Sequence, residues 1–448
     1  MNEPLEQQEL ELLKRRLREL EEVRIAWPDT DSKGVVKQTL NNFRTLLAHF
    51  DITIRYNEMT KEAEIKIPGQ HFHKDTETNA ALGKLRDLCH QANFPRGEVD
   101  YYFQVVASEN SYHPVRDWID EQVWDGRSRM DEFYGTLKLD HPHPLKETLM
   151  RKWAISAVAA LYHENFSCEG VLTFHGTQGK GKTIWVEQLL PRHARNVWNK
   201  DAVVIDMGNK DAIFKALGYW ITELGELDAT FRRSDIEALK GFVTEKVDVL
   251  RPPYAKVANK YGRRTVMYAT VNREDFLQDD ENRRFWVLSV DEFAVSRNFD
   301  VAQFWAEVKV LYMALRDKID TAQDRADNNE YGWFLSPTER ALLHQTQEAF
   351  KSIDPIEETL AVRIVPKGSE TTVSVESLNT TQILRRLGFD RATHAQLTKA
   401  SAWLKKQGFV TDRQRKFTVE ITELDITDRD AVRHKTKIFT KNKHDNDF

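Results

Sequence analysis

The residues with the clearest chemistry lie in one stretch, Gly176-Thr177-Gln178-Gly179-Lys180-Gly181-Lys182-Thr183, which spells G-x-x-x-x-G-K-T. Glycines at these positions let backbone N–H groups close around a β-phosphate. A lysine after the last glycine reaches the β- and γ-phosphates, and the following hydroxyl ligates Mg²⁺. The flanks suit the motif. Val171-Leu172-Thr173-Phe174-His175 reads as a buried strand, and Ile184–Leu190 as the start of a helix. Residues Gly176 to Ile184 are therefore predicted to hold a nucleoside triphosphate, with Lys182 on the phosphates and Thr183 on the metal. A guanine reader is not supported, since Asn209-Lys210-Asp211-Ala212 places its aspartate one position early.

The elements that must position such a loop follow from the surrounding pattern. From about 170 to 292, short apolar runs alternate with helical stretches, which predicts an α/β domain. The run Trp220-Ile221-Thr222 ends in Glu223, and Glu226 follows three residues on. A carboxylate at a strand end can hold Mg²⁺, and a second can polarise the attacking water. Glu223 and Glu226 fit these two roles in either order, with Glu223 and Thr183 as candidate metal ligands. Asn272 stands at the tip of the next apolar strand, Arg264–Val271, where an amide can orient water and sense a γ-phosphate. Arg283 and Arg284 precede the strand Phe285-Trp286-Val287. They suit either a finger inserted into a neighbouring copy's nucleotide, worth roughly 10³–10⁵ in rate, or a salt-bridged rim.

These motifs come in a fixed order: Gly176–Thr183, Trp220-Ile221-Thr222-Glu223-Leu224-Gly225-Glu226-Leu227, Arg251-Pro252-Pro253-Tyr254, Asn272-Arg273-Glu274-Asp275-Phe276, and Asn282-Arg283-Arg284-Phe285-Trp286. Tyr112–Trp118 and Trp124-Asp125-Gly126 lead into them. In this order the chain resembles the virulence-associated protein E family, P-loop proteins common on bacterial prophages, plasmids and genomic islands, which are similar to superfamily 3 helicases of the AAA+ class. The resemblance covers about residues 108–320. It implies a P-loop AAA+ ATPase core, ATP and Mg²⁺ as cofactors, a homo-oligomeric ring (a hexamer), and ATP-driven translocation on DNA in replication of a mobile element. It assigns Lys182 and Thr183 to the P-loop, Glu223 and Glu226 to the acidic strand, Asn272 to the sensor, and Arg283 or Arg284 to the finger. Two departures stand out. Gly262-Arg263-Arg264 crowds basic residues ahead of the sensor strand, and Lys180 lies where the family tends to be apolar. A nucleotide-gated DNA- or protein-binding switch without processive unwinding, used for example in interference with phages, is the alternative.

A ring helicase grips one strand through loops between the acidic and sensor strands. That interval holds Lys256, Lys260, Arg263 and Arg264, with Tyr254 and Tyr261 interleaved. Cations for phosphates and aromatics for bases are what single-strand binding uses. Lys256, Lys260 and Arg263 are the candidate DNA contacts. A second contact is expected in the C-terminal part. Helical Thr380–Leu387 and Ala395–Lys406 and the strand Phe417-Thr418-Val419 read as a winged-helix-like module for DNA or protein. Residues 381–448 carry 15 Lys and Arg against 9 Asp and Glu.

The predicted organisation is therefore an accessory or oligomerisation region of mixed α+β character over 1–107, the motor with its helical lead-in over 108–320, a linker and helical connection over 321–379, and the winged-helix-like module over 380–448. The accessory region has a Leu-spaced helix over 5–23, a helix over Thr39–His49 and a hairpin over Ile52–Ile67. The net charge of −5 over 448 residues excludes a protein that coats nucleic acid by bulk charge, and it averages an acidic body with a basic C-terminal part. The longest apolar run, Trp153–Tyr162, is far short of the roughly 20 residues of a membrane span, so no membrane partner is expected. Cys89 and Cys168 support neither a disulfide framework nor a cysteine zinc site, and the cytoplasm is the expected compartment. His71, His73, His141 and His143 lack cysteine partners and read as capping or solvated.

Overall fold

The computed structural model describes residues 25–95, 97–164, 166–176, 181–203, 208–225, 233–250, 258–272, 283–294, 299–347, 355–364, 376–419 and 421. The Leu-spaced segment 5–23 lies outside them. The chain forms two compact units, the first running as far as Gln347 and the second holding the C-terminal part.

In the first unit, the alternation in Thr53–Asn57 (β1) and Glu62–Lys66 (β2) gives the expected antiparallel hairpin, in register Thr53↔Lys66. Its turn is fixed by the Asn57 side chain, which accepts from Met59 N and Thr60 N at 3.0 and 3.2 Å. Ser111–Tyr112 (β3) adds parallel to β1. Helices Leu40–His49, Glu77–Gln91 and Val99–Glu109 supply Phe43, Leu46, Leu85 and Phe103 to a core shared with Ile54 and Ile65.

The rest of this unit is built on a six-stranded sheet. Its strands are Leu137–Leu139 (β4), Val171–His175 (β5), Asn199–Val203 (β6), Ile221–Leu224 (β7), Val266–Val271 (β10) and Phe285–Phe293 (β11), in the order β4-β11-β5-β10-β7-β6. Neighbours from β11 to β6 are parallel, and β4 closes one edge antiparallel. Parallel strands are covered on both faces, so they read as continuous apolar runs; all four residues of β7 are buried. Helix Lys146–Tyr162 is buried along most of its length and packs with helix Val301–Leu315. Tryptophans tie these layers together, because a buried indole N–H requires an acceptor. Trp153 donates to Met267 O at 3.0 Å, Trp220 to Ala157 O at 2.8 Å and Trp305 to Leu189 O at 2.6 Å. Val247–Leu250 (β8) and Asn259–Gly262 (β9) form a separate antiparallel hairpin between β7 and β10 in the chain.

In the second unit, helices Pro355–Arg363, Thr380–Arg386 and His394–Lys406 enclose Leu360, Ile383, Leu384, Ala400 and Leu404. Glu376–Leu378 (β12) pairs antiparallel with Phe417–Val419 (β13). Capping boxes at Asn379/Gln382 and Thr393/Gln396 start the last two helices. Helix Pro355–Arg363 falls within the stretch expected to be a linker and helical connection, and its Ile356 and Leu360 are part of this core.

Cys89 and Cys168 are free and buried. Among the described residues no helix is long and apolar enough to cross a membrane. The molecule is thus a mixed α/β protein with several sheets and many helices.

Candidate functional site

Parallel pairing brings several strand ends to one edge of the large sheet. His175 stands opposite Val271 and Ser289, and Leu224 opposite Ala269. Strand β5 is central, with β10 on one side and β11 on the other. In open α/β sheets the crevice for a ligand opens at the carboxyl ends of such strands, where connections leave to both sides.

Gly176 follows β5 at this edge. Its φ of +154° and a virtual Cβ only 2.7 Å from Val290 O leave no room for a side chain. Gly181, at φ +87°, is the left-handed residue from which helix Lys182–Gln188 starts. Thr177, Gln178, Gly179 and Lys180 lie outside the described residues. The helix is fastened by Trp185, buried edge-on to Phe174 of β5 at 5.1 Å, with its indole N–H donating to Thr136 Oγ1 at 2.7 Å. Thr183 is in the first turn, its side chain outside the description, and Ile184 is exposed.

Lys182 is nine-tenths buried. Its Nζ donates to Gly176 O at 2.5 Å, Asn272 Oδ1 at 3.0 Å and Val271 O at 3.3 Å. The lysine of the glycine loop and the asparagine at the tip of β10, 90 residues apart in the chain, therefore meet directly. Glu223 reaches the same end of the sheet from within β7, one residue short of its tip. It is buried, and its Oε1 accepts from Thr270 Oγ1 at 2.8 Å. Its Oε2 accepts from Ala202 N at 3.2 Å and Tyr268 OH at 3.3 Å. The Tyr268 phenol is held well above its usual range by burial and then by the Glu223 carboxylate. Glu223 thus links β6, β7 and β10. Glu226 lies outside the described residues.

Arg283 and Arg284 are not at this edge. Arg284 O accepts from Val171 N at 2.7 Å, at the amino end of β5. The length of β5 separates the two places by roughly 15–20 Å at about 3.3 Å per residue. Arg284 is largely buried beside Glu169, with Nη1 to Oε2 at 3.7 Å, whereas Arg283 is exposed. Burial pushes the Glu169 carboxyl up, against Arg284, which lowers it.

The candidate DNA residues divide. Lys256 lies outside the described residues. Lys260 is exposed on β9, directly opposite the exposed Val249. Arg263 is buried, so its role as a DNA contact does not survive. Its Nε and Nη2 hold both oxygens of the buried Asp248 at 2.8 and 2.9 Å, and its guanidinium lies 4.4 Å from the Phe242 ring centroid. Arg264 pairs with Glu58 at 3.0 Å. Nothing in the sequence signals this, because the partners are 15 and more than 200 positions away. Two of the four histidines act as caps, His73 Nδ1 accepting from Asp75 N and His143 Nδ1 from Leu145 N, while His71 and His141 are exposed. Among the described residues no group of three acidic, His or Cys side chains forms a metal cluster.

Comparison with known proteins places this geometry in context. Solved structures of the apo C-terminal region of NrS-1 are similar to the chain. One has 14% identity and a TM-score of 0.38, covering 85% of this chain and 98% of that one. Another, of residues 305–718, has 14% identity and a TM-score of 0.40, covering 86% and 99%. Superposition this loose assigns neither fold nor function. No curated protein matches the chain. The virulence-associated protein E-like domain, by contrast, matches residues 119–352, which span the glycine loop, the acidic strand, Asn272 and the arginine pair. With more than half its length matched, the chain belongs to the virulence-associated protein E-like family.

Proposed function

We propose that the chain is a Mg²⁺-dependent ATP hydrolase with a P-loop AAA+ core. In this reading it acts as a homo-oligomeric ring, with a hexamer as the expected form, and translocates on and unwinds DNA in replication of a mobile element. The observation that carries this reading is the meeting of Lys182 with Asn272 at the carboxyl edge of β5 and β10. A loop bounded by glycines, one without space for a Cβ and one left-handed, suits backbone N–H groups converging on phosphate. The residues present fit a triphosphate.

Lys182 would hold the β- and γ-phosphates, and Thr183 with Glu223 or Glu226 would hold the metal. The metal, when bound, supplies charge neutralisation between the phosphates. Asn272 would orient the attacking water. The three donors on Glu223 fix it as the tie between β6, β7 and β10, which favours Glu226 for polarising that water. Arg283, exposed and remote from Lys182, suits a finger acting on a neighbouring copy, with Arg284 held by Glu169. Lys260 on the β8–β9 hairpin, together with Lys256, would contact the DNA strand. The second unit, which among the described residues holds three helices and a two-stranded sheet and which contains the basic stretch 381–448, would serve as a winged-helix-like reader of duplex DNA.

The test is ATP turnover and strand displacement on forked DNA, measured beside mass photometry. Lys182→Ala should abolish turnover in a folded protein. A Lys182→Ala protein that still turns over ATP would sink the site assignment. Turnover without displacement would replace the helicase by a nucleotide-gated switch.

A further inference from the structure

The turn between β1 and β2 does not end in solvent. Lys61, 7% exposed, donates from Nζ to Met59 O at 3.2 Å and to Leu217 O. Leu217 O also takes the hydroxyl of Thr265 at 3.4 Å. Glu58, on the same turn, accepts Arg264 at 3.0 Å and Arg116 at 3.3 Å. Arg263 and Arg264 are the two residues that follow β9, and Arg263 closes the root of the hairpin on Asp248 of β8. Beyond Thr265 the chain runs through β10 to Asn272. The root of the hairpin is thus gripped on one side by its own ion pair and on the other by the N-terminal module.

Charge at this seam is unbalanced. Lys61, Arg116, Arg263 and Arg264 face Glu58 and Asp248. Burial draws the Lys61 ammonium down to about 7, with Arg263 and Arg264 lowering it further against Asp248. His113 is fully buried, and its Nε2 has no hydrogen-bond partner among the described residues. Loss of the Glu58 charge would leave the part-buried Arg264 and Arg116 without the carboxylate they share, a cost that removing one partner of a partly desolvated pair incurs.

We propose that Glu58 is a positioning residue that clamps the root of the β8–β9 hairpin to the N-terminal module, so that Lys260 keeps a fixed station relative to Asn272. The proposal rests on the hairpin's role under Proposed function, and its test is chosen to fail separately. Hydrogen exchange is followed over residues 247–262 in the full chain for Glu58→Gln, Glu58→Asp and Arg264→Gln, with oligo-dT affinity and the ATP KM measured alongside. Glu58→Gln and Arg264→Gln should each speed hairpin exchange by about tenfold, with Leu40–Asn57 and β10 unchanged. Oligo-dT binding should weaken severalfold at constant ATP KM, and Glu58→Asp should keep most of the parent behaviour. If Glu58→Gln does not fold, Arg264→Gln removes the same pair from the hairpin side. Unchanged hairpin exchange in the folded variants overturns the clamp, as does a Glu58→Asp protein no better than Glu58→Gln. A parent that neither binds oligo-dT nor hydrolyses ATP refutes the proposed function instead, and the exchange comparison still decides the clamp.

Discussion

Arg263 gives the sharpest test, because its residue type points to DNA and its position points to the interior. Arg263→Ala removes a guanidinium that is 3% exposed and leaves the Asp248 carboxylate, 8% exposed, without its two donors at 2.8 and 2.9 Å. Breaking a buried pair from one side costs about 3–5 kcal/mol, since the remaining charge stays desolvated. For a unit of this size, thermal midpoints move by about 1.4 °C per kcal/mol, so a loss of about 4–7 °C is expected. The phosphate slope should be unaffected. Lys260→Ala, by contrast, should lower the slope of log K against log salt on single-stranded DNA by about 0.7 while moving the midpoint by no more than about 1 °C. Replacing the pair together, Asp248→Leu with Arg263→Met, should recover most of the lost stability, since a buried pair exchanged for apolar groups of like volume is often neutral. Thermal denaturation and salt titration of oligo-dT binding, run on the same samples, decide the matter. An Arg263→Ala protein that melts with the parent and loses about 0.7 of salt slope would refute the burial argument.

Two further outcomes follow from the packing. A Cβ at Gly170 would lie 2.1 Å from Trp286 Cε2 and 2.2 Å from its Nε1, and Trp286 is 1% exposed. Gly170→Ala should therefore cost about 1–3 kcal/mol or more, read as a lower midpoint that Trp286→Phe in the same chain partly restores. His113 is kept neutral by burial and then by Arg264, Arg116 and Lys61, with a folded pKa well below its usual value. As pH falls below about 6.5 the unfolded chain takes up a proton that the folded one refuses, so stability declines by up to about 1.4 kcal/mol per pH unit for this residue. Urea midpoints between pH 7 and pH 5 should fall less steeply in His113→Gln than in the parent.

The legible parts of this molecule are those whose physics is local. Strand, glycine loop and helix at 171–188 are contiguous, and the hairpin around Asn57 announces itself by alternation and a polar turn. Strand order is different. Nothing in the sequences of β5, β7 and β10 says that β10 inserts between the other two, yet that insertion delivers Asn272 to Lys182. Long-range ion pairs are equally silent. Arg263 looks like a DNA-contacting arginine until Asp248 is seen beneath it, and Lys61 looks like a turn lysine until Leu217 O caps it. The connection expected over 321–379 shows the same limit. Its polar patch at 324–330 is followed by Trp333 and Leu335, 1% and 0% exposed, which belong to the core of the first unit.

The arrangement of the arginine pair also constrains how a ring of this protein would work. Lys182 and Asn272 stand at the carboxyl edge of the sheet, and Arg283 and Arg284 at its amino end, so neither arginine would reach the proposed nucleotide site of its own chain without dismantling β11. Of the two, Arg284 is the costlier to move. Its withdrawal would take from the buried Glu169 the first of the arginines that offset its raised carboxyl, ahead of Arg340, Arg283 and Arg325, a penalty that breaking a buried pair incurs. Arg283 is exposed beside it and contributes less to Glu169 than Arg284 does, so extending it disturbs the buried carboxylate less. In the proposed finger the labour would be divided: Glu169 and Arg284 pair ahead of β11, and the exposed Arg283 would be the one to extend. In the proposed ring, hydrolysis would then depend on a neighbour being present, because the chain that would hold the phosphates would not itself supply the arginine that completes their charge.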